Sequence, residues 1–279
     1  MNLCLSMWSF ALDFQRRQMD VERFAATCHE MGIDTVELVD YLWVSAGQPL
    51  SSLRDFGIRV CAYDTATDFV HLDPESRQQQ IKLAYAAIEE AVRVGAEIVR
   101  LLPGKIKNGI AYEDALQMVV ESVSSAARYA HNAGITVVLE PHEDVVYSAE
   151  TFRYVTEQVN SAAFGVNADV CTFLLMGLDP VRECASVADL CKLAHLNDMR
   201  RARKGYQKGY PYRSVTGEVY EGTTVGDGEI DIRRCIEALI SGGFRGPFSV
   251  EYLGMEKATA GVQRSLDNIR KILQEVHAS

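Results

Sequence analysis

The chain alternates strand-like and helix-like segments from one end to the other. Short apolar runs are followed by amphipathic stretches, and glycine closes several of the predicted helices, as at Gly32, Gly95 and Gly134. Eight strand–helix units can be counted along the chain. Because strands joined by helices run parallel with right-handed crossovers, and eight units complete a ring, the pattern predicts an α/β fold, a single (β/α)8 TIM barrel.

The alternation also predicts where each unit lies. The predicted strands are Leu3–Trp8, Asp34–Leu38, Ile58–Tyr63, Glu97–Leu102, Ile135–Glu140, Phe164–Asp169, Cys191–Leu196 and Phe248–Tyr252. The clearest predicted helices are Val21–Met31, Tyr112–Asn132, Ala149–Val159, Pro180–Val187, Asp231–Ser241 and Gly261–Val276. With no linker or change of composition, residues 1–279 are predicted to form one domain. A doubly wound sheet is the alternative, but no GxGxxG or GxxxxGK[ST] motif follows a strand.

Charge and composition exclude several classes of function. The net charge is −10 over 279 residues, which argues against binding to nucleic acid. No apolar run is long enough to span a membrane, so we expect no membrane partner. The seven cysteines are odd in number and contain no CxxC pair, which favours reduced thiols and a cytoplasmic location.

Four potential metal ligands stand at or near the ends of predicted strands. They are Glu140, Asp169, His195 and Glu251, on the fifth to eighth strands. Parallel neighbours would bring all four side chains to one carboxyl edge, where TIM barrels carry their active sites. Three carboxylates beside an imidazole repel one another unless a cation neutralises them. This oxygen-rich set suits Mn²⁺, Mg²⁺ or Co²⁺.

Several segments carry a resemblance to a known family. They are VVLEPH (Val137–His142), GVNAD (Gly165–Asp169), HLND (His195–Asp198), GDGEID (Gly226–Asp231) and GFRGPFSVEY (Gly243–Tyr252). With these motifs the chain resembles the xylose isomerase-like barrels over essentially its whole length. That superfamily includes sugar-phosphate isomerases and epimerases, ketose 3-epimerases, inosose dehydratase and 3-dehydroshikimate dehydratase.

The resemblance implies a cofactor and its ligands. It implies one divalent metal ion, with Mn²⁺ or Mg²⁺ expected first and Co²⁺ or Zn²⁺ next, held by Glu140, Asp169, His195 and Glu251. The chain departs from the family pattern at Thr172, at Asn197 and at the pair Val145 and Val146. These departures leave the branch of the family open.

His142 extends the candidate site beyond the four ligands. Glu140 and His142 are two residues apart, so their side chains lie on the same face if the strand continues. His142 could then act as a general base or bind a substrate hydroxyl. The dehydratase branch resembles this chain in having Glu-x-His at the same strand.

Further residues match positions used for substrate contact in related proteins. Arg100 and Tyr63 match contacts of the dehydratase branch, and Arg201 matches an arginine of the epimerase branch. Arg100 has two interpretations, a buried salt bridge to Glu37 or a clamp on a substrate carboxylate or phosphate, for which a planar guanidinium is well suited. Trp8 either lines the pocket or fills the barrel mouth.

The resulting hypothesis is proton transfer next to the carbonyl of a small sugar-like substrate, with Glu140 and Glu251 as acid and base. An isomerase or epimerase is the first choice, and a dehydratase or lyase, with His142 as acid or base, is the alternative. A sugar-binding protein without activity is less favoured, as is an endonuclease IV-like enzyme. Relatives commonly form dimers or tetramers, so we expect a homo-oligomer. The polar segment Arg200–Thr224 is predicted to be a long loop that forms a lid or an interface.

Overall fold

The computed structural model describes residues 3–203 and 211–278, and its central feature is a closed parallel barrel. The barrel strands are β1 (Leu3–Ser6), β2 (Thr35–Val39), β3 (Arg59–Asp64), β4 (Ile98–Leu101), β5 (Thr136–Leu139), β6 (Phe164–Asp169), β7 (Cys191–Leu196) and β11 (Phe248–Val250). Three further strands, β8 (Met199–Arg201), β9 (Tyr212–Arg213) and β10 (Val219–Gly222), form a separate sheet. The order β1-β11-β7-β6-β5-β4-β3-β2 closes the ring. The predicted (β/α)8 TIM barrel is confirmed.

Helices surround the barrel. They are α1 (Ala11–Gln15), α2 (Val21–Glu30), α3 (Asp40–Ser45), α4 (Leu50–Asp55), α5 (Pro74–Val94), α6 (Tyr112–Ala133), α7 (Ala149–Val159), α8 (Val170–Leu175), α9 (Pro180–Val187), α10 (Ile232–Ser241) and α11 (Ala258–Ala278). Local sequence sets their limits: Asp73 caps the start of α5 by accepting a hydrogen bond from the Ser76 amide, and Gly95 ends it in the left-handed conformation. No helix in the described ranges is long and apolar enough to cross a membrane.

Strand alternation separates an apolar floor from a polar upper layer inside the barrel. Ala62, Ile98, Val138 and Leu193 form a small apolar cluster of their own, apart from the main core. Two residues after each of them in the sequence stands a polar residue, and these four are Asp64, Arg100, Glu140 and His195. Because side chains repeat with period two along a strand, the polar set points into the barrel as well.

Two sequence predictions about local structure are wrong. The first strand ends at Ser6 instead of Trp8, because the Ser6 hydroxyl accepts a hydrogen bond from the Trp8 amide and starts a 3₁₀ helix, Met7–Phe10. The segment Arg200–Thr224 is more than a loop, since β10 pairs antiparallel with both β8 and β9. Residues 204–210 of that segment lie outside the described residues.

Asp198 ties the HLND segment to the GDGEID loop. Its buried carboxylate accepts hydrogen bonds from the amides of Gly226 and Gly228 at 2.9 and 2.8 Å, and from those of Met199 and Ile230 at 2.8 and 3.3 Å. A Cβ atom on Gly228 would come within 2.0 Å of the Asp198 carboxylate, so this close approach requires glycine. The two motifs therefore form one structural unit beside the barrel mouth.

Candidate metal centre

The structure brings Glu140, Asp169, His195 and Glu251 together at the carboxyl edge of the barrel. Asp169 and His195 are the last and next-to-last residues of β6 and β7, and the two glutamates directly follow β5 and β11. The Nδ1 atom of His195 lies 3.2 Å from a Glu140 oxygen and 3.6 Å from oxygens of both Asp169 and Glu251. The predicted convergence of these four side chains is what the geometry shows.

The cluster fits a divalent cation. His195 is fully buried, and its Nδ1 atom forms no hydrogen bond with any described residue although three carboxylates surround it. Ligand atoms of Glu140, Asp169 and His195 all lie within 4.8 Å of one another. A buried ring nitrogen without a hydrogen bond is rare, since such atoms are normally satisfied. An imidazole with carboxylate oxygens is a donor set that Mn²⁺, Mg²⁺ or Zn²⁺ accepts.

The surroundings of the two glutamates shift their pKa values in opposite directions. Burial raises the pKa of Glu251 to about 7, against the lowering effect of His195 and with the help of Glu140. Burial also disfavours the Glu140 carboxylate, but Arg100 and His195 outweigh it and lower the pKa of Glu140 to about 2. The site therefore pairs a firmly ionised carboxylate with one that gains and loses a proton near neutral pH.

Two asparagines orient the carboxylates. The Asn197 amide donates to Asp169 at 2.7 Å and to Glu251 at 3.2 Å. The Asn167 amide donates to Glu140 at 2.9 Å. Each donor holds one carboxylate oxygen in place, so the orientation of the three acidic groups does not depend on the histidine alone.

Sequence reasoning missed two polar residues below the cluster, and assigned a third, Glu37, to another partner. One Glu37 oxygen accepts a hydrogen bond from His195 Nε2 at 2.9 Å, and the other accepts a hydrogen bond from the Ser249 hydroxyl at 2.6 Å. Asp64 is fully buried beside Glu37, and burial raises its pKa well above the usual range. The available signal was an acidic residue inside an apolar strand, as in TVELV of β2.

Arg100 points into the barrel and is held by two carboxylates. One guanidinium nitrogen lies 3.0 Å from Asp64 and Nε lies 3.2 Å from Glu140. Arg100 therefore forms buried salt bridges, as one of the two interpretations predicted, but with Asp64 and Glu140. The predicted partner Glu37 is wrong, because Glu37 contacts His195 instead. With both partners inside the protein, the guanidinium neutralises part of the buried negative charge.

His142 lies beside the cluster on the turn after β5. Its backbone amide donates to the Val146 carbonyl at 3.2 Å, and its side chain is 42% exposed. His142 is among the groups that lower the pKa of Glu140, after Arg100 and His195. The imidazole is thus near enough to act on Glu140 electrostatically and open enough to meet a ligand.

The structure does not bring Tyr63 or Arg201 to the cluster. Tyr63 is only 3% exposed, belongs to the main core and stands one residue before Asp64, which places it on the outer face of β3. The Arg201 side chain is 63% exposed and lies near Glu218 and Glu229 at 3.4 and 3.6 Å. The alternation of side chains along β3 explains why Tyr63 does not face the cluster. The position of Arg201 in the separate sheet explains why its side chain lies away from the cluster.

Trp8 lines a cavity of about 630 Å³ beside the cluster. Tyr212 and Tyr252 line the same cavity, whereas none of the four clustered residues is among its described lining. Tyr212 lines the cavity and is also influenced by residues of the cluster. Burial raises the pKa of its hydroxyl to about 12, and the nearby Cys171, Glu251 and Asp169 add to this rise. The cavity is therefore a neighbour of the cluster, and Tyr212 stands between them.

Comparisons with known proteins identify the family to which this fold belongs. A family model described as xylose isomerase-like TIM barrel matches residues 25–272. The chain belongs to this family. The resemblance predicted from the motifs is confirmed, and the site of this xylose isomerase-like barrel holds a buried Glu, Asp and His cluster able to bind a metal. A comparison with curated proteins gives no significant sequence match.

Solved structures of similar fold include three that bear on the site. One is the IolI protein with a binding zinc atom (TM-score 0.78, 19% identity, 99% of each chain covered). Another is L-ribulose 3-epimerase (0.77, 15%, 100% of this chain and 96% of the other). A third is a xylose isomerase-like TIM barrel protein from Mycobacterium smegmatis in complex with magnesium (0.73, 18%, 99% and 97%). At these identities the likeness concerns the fold.

Proposed function

We propose that this protein is a divalent-metal-dependent isomerase or epimerase of a keto-sugar or related polyol. The observation that carries the proposal is the Nδ1 atom of His195, which is buried, forms no hydrogen bond with any described residue and faces three carboxylates. Glu140, Asp169, His195 and Glu251 would hold the ion. The zinc and magnesium in the similar structures, and the 3-epimerase activity in the name of another, support the same reading.

In the proposed reaction Glu140 and Glu251 move a proton next to the substrate carbonyl. They come from β5 and β11, with β6 and β7 between them, so they flank the space above the cluster. A carboxylate beside the substrate can accept a proton from the carbon next to the carbonyl and return it, which suits Glu251 for general acid–base work. A bound divalent ion would supply Lewis acidity that stabilises negative charge on the carbonyl oxygen. Return of the proton to the other face or to the neighbouring carbon decides between epimerisation and isomerisation.

A dehydratase or lyase acting on a cyclic or sugar-like hydroxy-ketone is the second candidate. It is favoured by His142, which is among the groups that lower the pKa of Glu140 and whose side chain is 42% exposed. After removal of a proton next to the carbonyl, His142 would protonate a departing hydroxyl. The same first step thus serves both reactions, and the presence of a second acid near the substrate distinguishes them.

The proposed substrate is a small sugar-like molecule that enters beside Trp8. The aromatic rings of Trp8 and Tyr212 offer apolar faces to the non-polar side of a sugar ring, and both line the 630 Å³ cavity. Arg100 contributes indirectly, by keeping Glu140 ionised. A substrate contact by Tyr63 or Arg201 has no support in the geometry, because one is buried in the core and the other lies in the separate sheet.

Metal content and solvent exchange test the proposal. We expect about one Mn, Mg, Co or Zn per chain in protein purified without chelators, and loss of that metal in Glu251→Gln. With added Mn²⁺, NMR in D₂O should show deuterium entering D-fructose, D-ribulose or 3-dehydroshikimate next to the carbonyl. Exchange without loss of water indicates the isomerase or epimerase, and a dehydrated product indicates the alternative.

A matched control separates chemistry from stability. Glu183 is also a buried glutamate, but it accepts a hydrogen bond from the amide of Ala149 at the start of α7, away from the cluster. Glu183→Gln should therefore keep its metal and its exchange activity. Absence of metal from the wild type, together with no stabilisation by added divalent ions, would contradict the proposed function.

A further inference from the structure

Glu37 is a buried carboxylate with a set of partners that fixes its position. It is fully buried on β2, and its two oxygens are used separately: one lies 2.9 Å from His195 Nε2 and the other accepts from the Ser249 hydroxyl at 2.6 Å. An oxygen of Asp64 also lies within 4.8 Å of Glu37. The contacts with His195 on β7 and Ser249 on β11 therefore hold this carboxylate under the histidine.

The contact with Glu37 determines which nitrogen of His195 faces the other carboxylates. Since a carboxylate accepts but does not donate, Nε2 carries the proton in this contact. The opposite nitrogen, Nδ1, is then directed at Glu140, Asp169 and Glu251. A histidine that binds a metal through one nitrogen commonly donates its other N–H to a carboxylate, which orients the ring and increases its basicity.

We propose that Glu37 is a positioning residue that sets the tautomer and ring orientation of His195 for metal binding. This inference rests on the proposed function, because it requires a metal at the cluster. Glu37 contacts the imidazole at Nε2, whereas Glu140, Asp169 and Glu251 lie near its Nδ1. Oxygens of Glu37, Asp64 and Glu251 also lie within 4.8 Å of one another, so the role proposed for Glu37 concerns its contact with Nε2 and requires no contact with the substrate. Ser249 acts one step further away by donating a hydrogen bond to Glu37.

A purely structural ion pair would behave differently. Arg100 already compensates Asp64 and Glu140, so the barrel has a cation for its structural pairs. If Glu37 only balanced charge, Glu37→Gln and Glu37→Leu would disturb metal binding to a similar extent. If Glu37 sets the ring, the amide oxygen of glutamine can still accept from Nε2–H, whereas leucine offers no acceptor.

Calorimetric titration with Mn²⁺ tests this difference. We expect Glu37→Leu to weaken Mn²⁺ binding on the order of 10- to 100-fold, the usual effect of losing such a partner. Glu37→Gln should lose clearly less, and the buried control Glu183→Gln should bind as the wild type does. Circular dichroism and thermal unfolding establish that each variant is folded. If Glu37→Leu is not folded, Ser249→Ala, which removes one hydrogen bond to Glu37, should still weaken binding several-fold.

A spectroscopic signature separates positioning from general destabilisation. In Zn²⁺-loaded protein with ¹⁵N-labelled histidine, we expect a slowly exchanging Nε2–H proton of His195 at low field. That resonance should persist in Glu37→Gln and disappear or move in Glu37→Leu. Wild-type Mn²⁺ affinity and an unchanged resonance in folded Glu37→Leu would overturn the role of Glu37 alone. A wild type that binds no divalent ion would overturn the proposed function together with this inference.

Discussion

The two ring nitrogens of His195 have different neighbours, and both sets of neighbours determine what this residue can do. One ring nitrogen meets a carboxylate anchored by a serine, and the other faces three carboxylates that asparagines hold in place. All of these groups are buried, so water does not screen their repulsion. A divalent ion bound at Nδ1, which forms no hydrogen bond with any described residue, would relieve that repulsion. The residue-level chemistry thus follows from burial as much as from residue type.

Arg100 gives a prediction at the same scale. Replacing it with methionine leaves Asp64 and Glu140 as buried carboxylates without their cation. We expect Arg100→Met to lower the free energy of unfolding by about 3–5 kcal/mol, the cost of breaking a buried ion pair from one side. Chemical denaturation measures it. Arg59→Met is the control, since the Arg59–Asp34 pair is mostly exposed and should contribute less than about 1 kcal/mol.

A small loss of stability in Arg100→Met would contradict the structural role of Arg100. If such a variant were as stable as Arg59→Met but had lost affinity for a sugar or sugar acid, the guanidinium would be a substrate clamp. The two interpretations weighed from the sequence are therefore separated by one comparison of stability and binding.

At the scale of elements, the ends of strands and the connections after them build the site. β6 and β7 end on metal-site residues, and the segment after β7 turns directly into β8, which is held to the GDGEID loop by Asp198. The antiparallel pairing of β8 and β10 then delivers Tyr212, on β9, to the edge of the cavity. A loop of ordinary composition could not hold an aromatic ring there without such a sheet.

Asp198 carries the prediction for this element. Asp198→Ala removes the acceptor of four backbone amides, and buried donors without a partner each cost about 1–3 kcal/mol. We expect a loss of about 3 kcal/mol or more in the free energy of unfolding, measured by urea denaturation. Asp227→Ala, in the same loop, is the control because, among the described residues, its carboxylate accepts only a long hydrogen bond, from Asn268 at 3.3 Å. Equal stability of the two variants would show that Asp198 does not organise the loop.

At the scale of the whole molecule, the sequence specified the barrel and its polar edge, but not the contacts that closure creates. Periodicity predicted several of the helices, and α7 and α9 begin and end where they were predicted. Glu37 and Ser249 are 212 positions apart and meet only because β11 pairs with β1, which pairs with β2. Tyr63 was misplaced because a strand-end position alone does not tell which face a side chain takes.

Metal binding and folding should be coupled in this barrel, and the coupling should depend on pH. An ion that binds only the folded state stabilises it by about 2.7 kcal/mol at a free concentration of 100 Kd. Glu251, whose pKa is about 7 in the metal-free protein, holds a proton below that pH and must release it for the ion to bind. Mn²⁺ therefore competes with the Glu251 proton at pH 6 more than at pH 8. It also competes with a proton on His195, whose pKa the surrounding carboxylates raise well above its usual value against the effect of burial, so its affinity rises with pH between these values.

Thermal unfolding with and without Mn²⁺ at pH 6 and pH 8 measures this coupling. We expect Mn²⁺ to raise the Tm at both values and by more at pH 8, with EDTA reversing the effect. In Glu251→Gln the side chain no longer titrates, so whatever stabilisation by Mn²⁺ remains should lose its step near pH 7. Equal stabilisation of the wild type at both pH values would mean that Glu251 does not have to lose a proton when the ion binds, and would remove it from the ligand set.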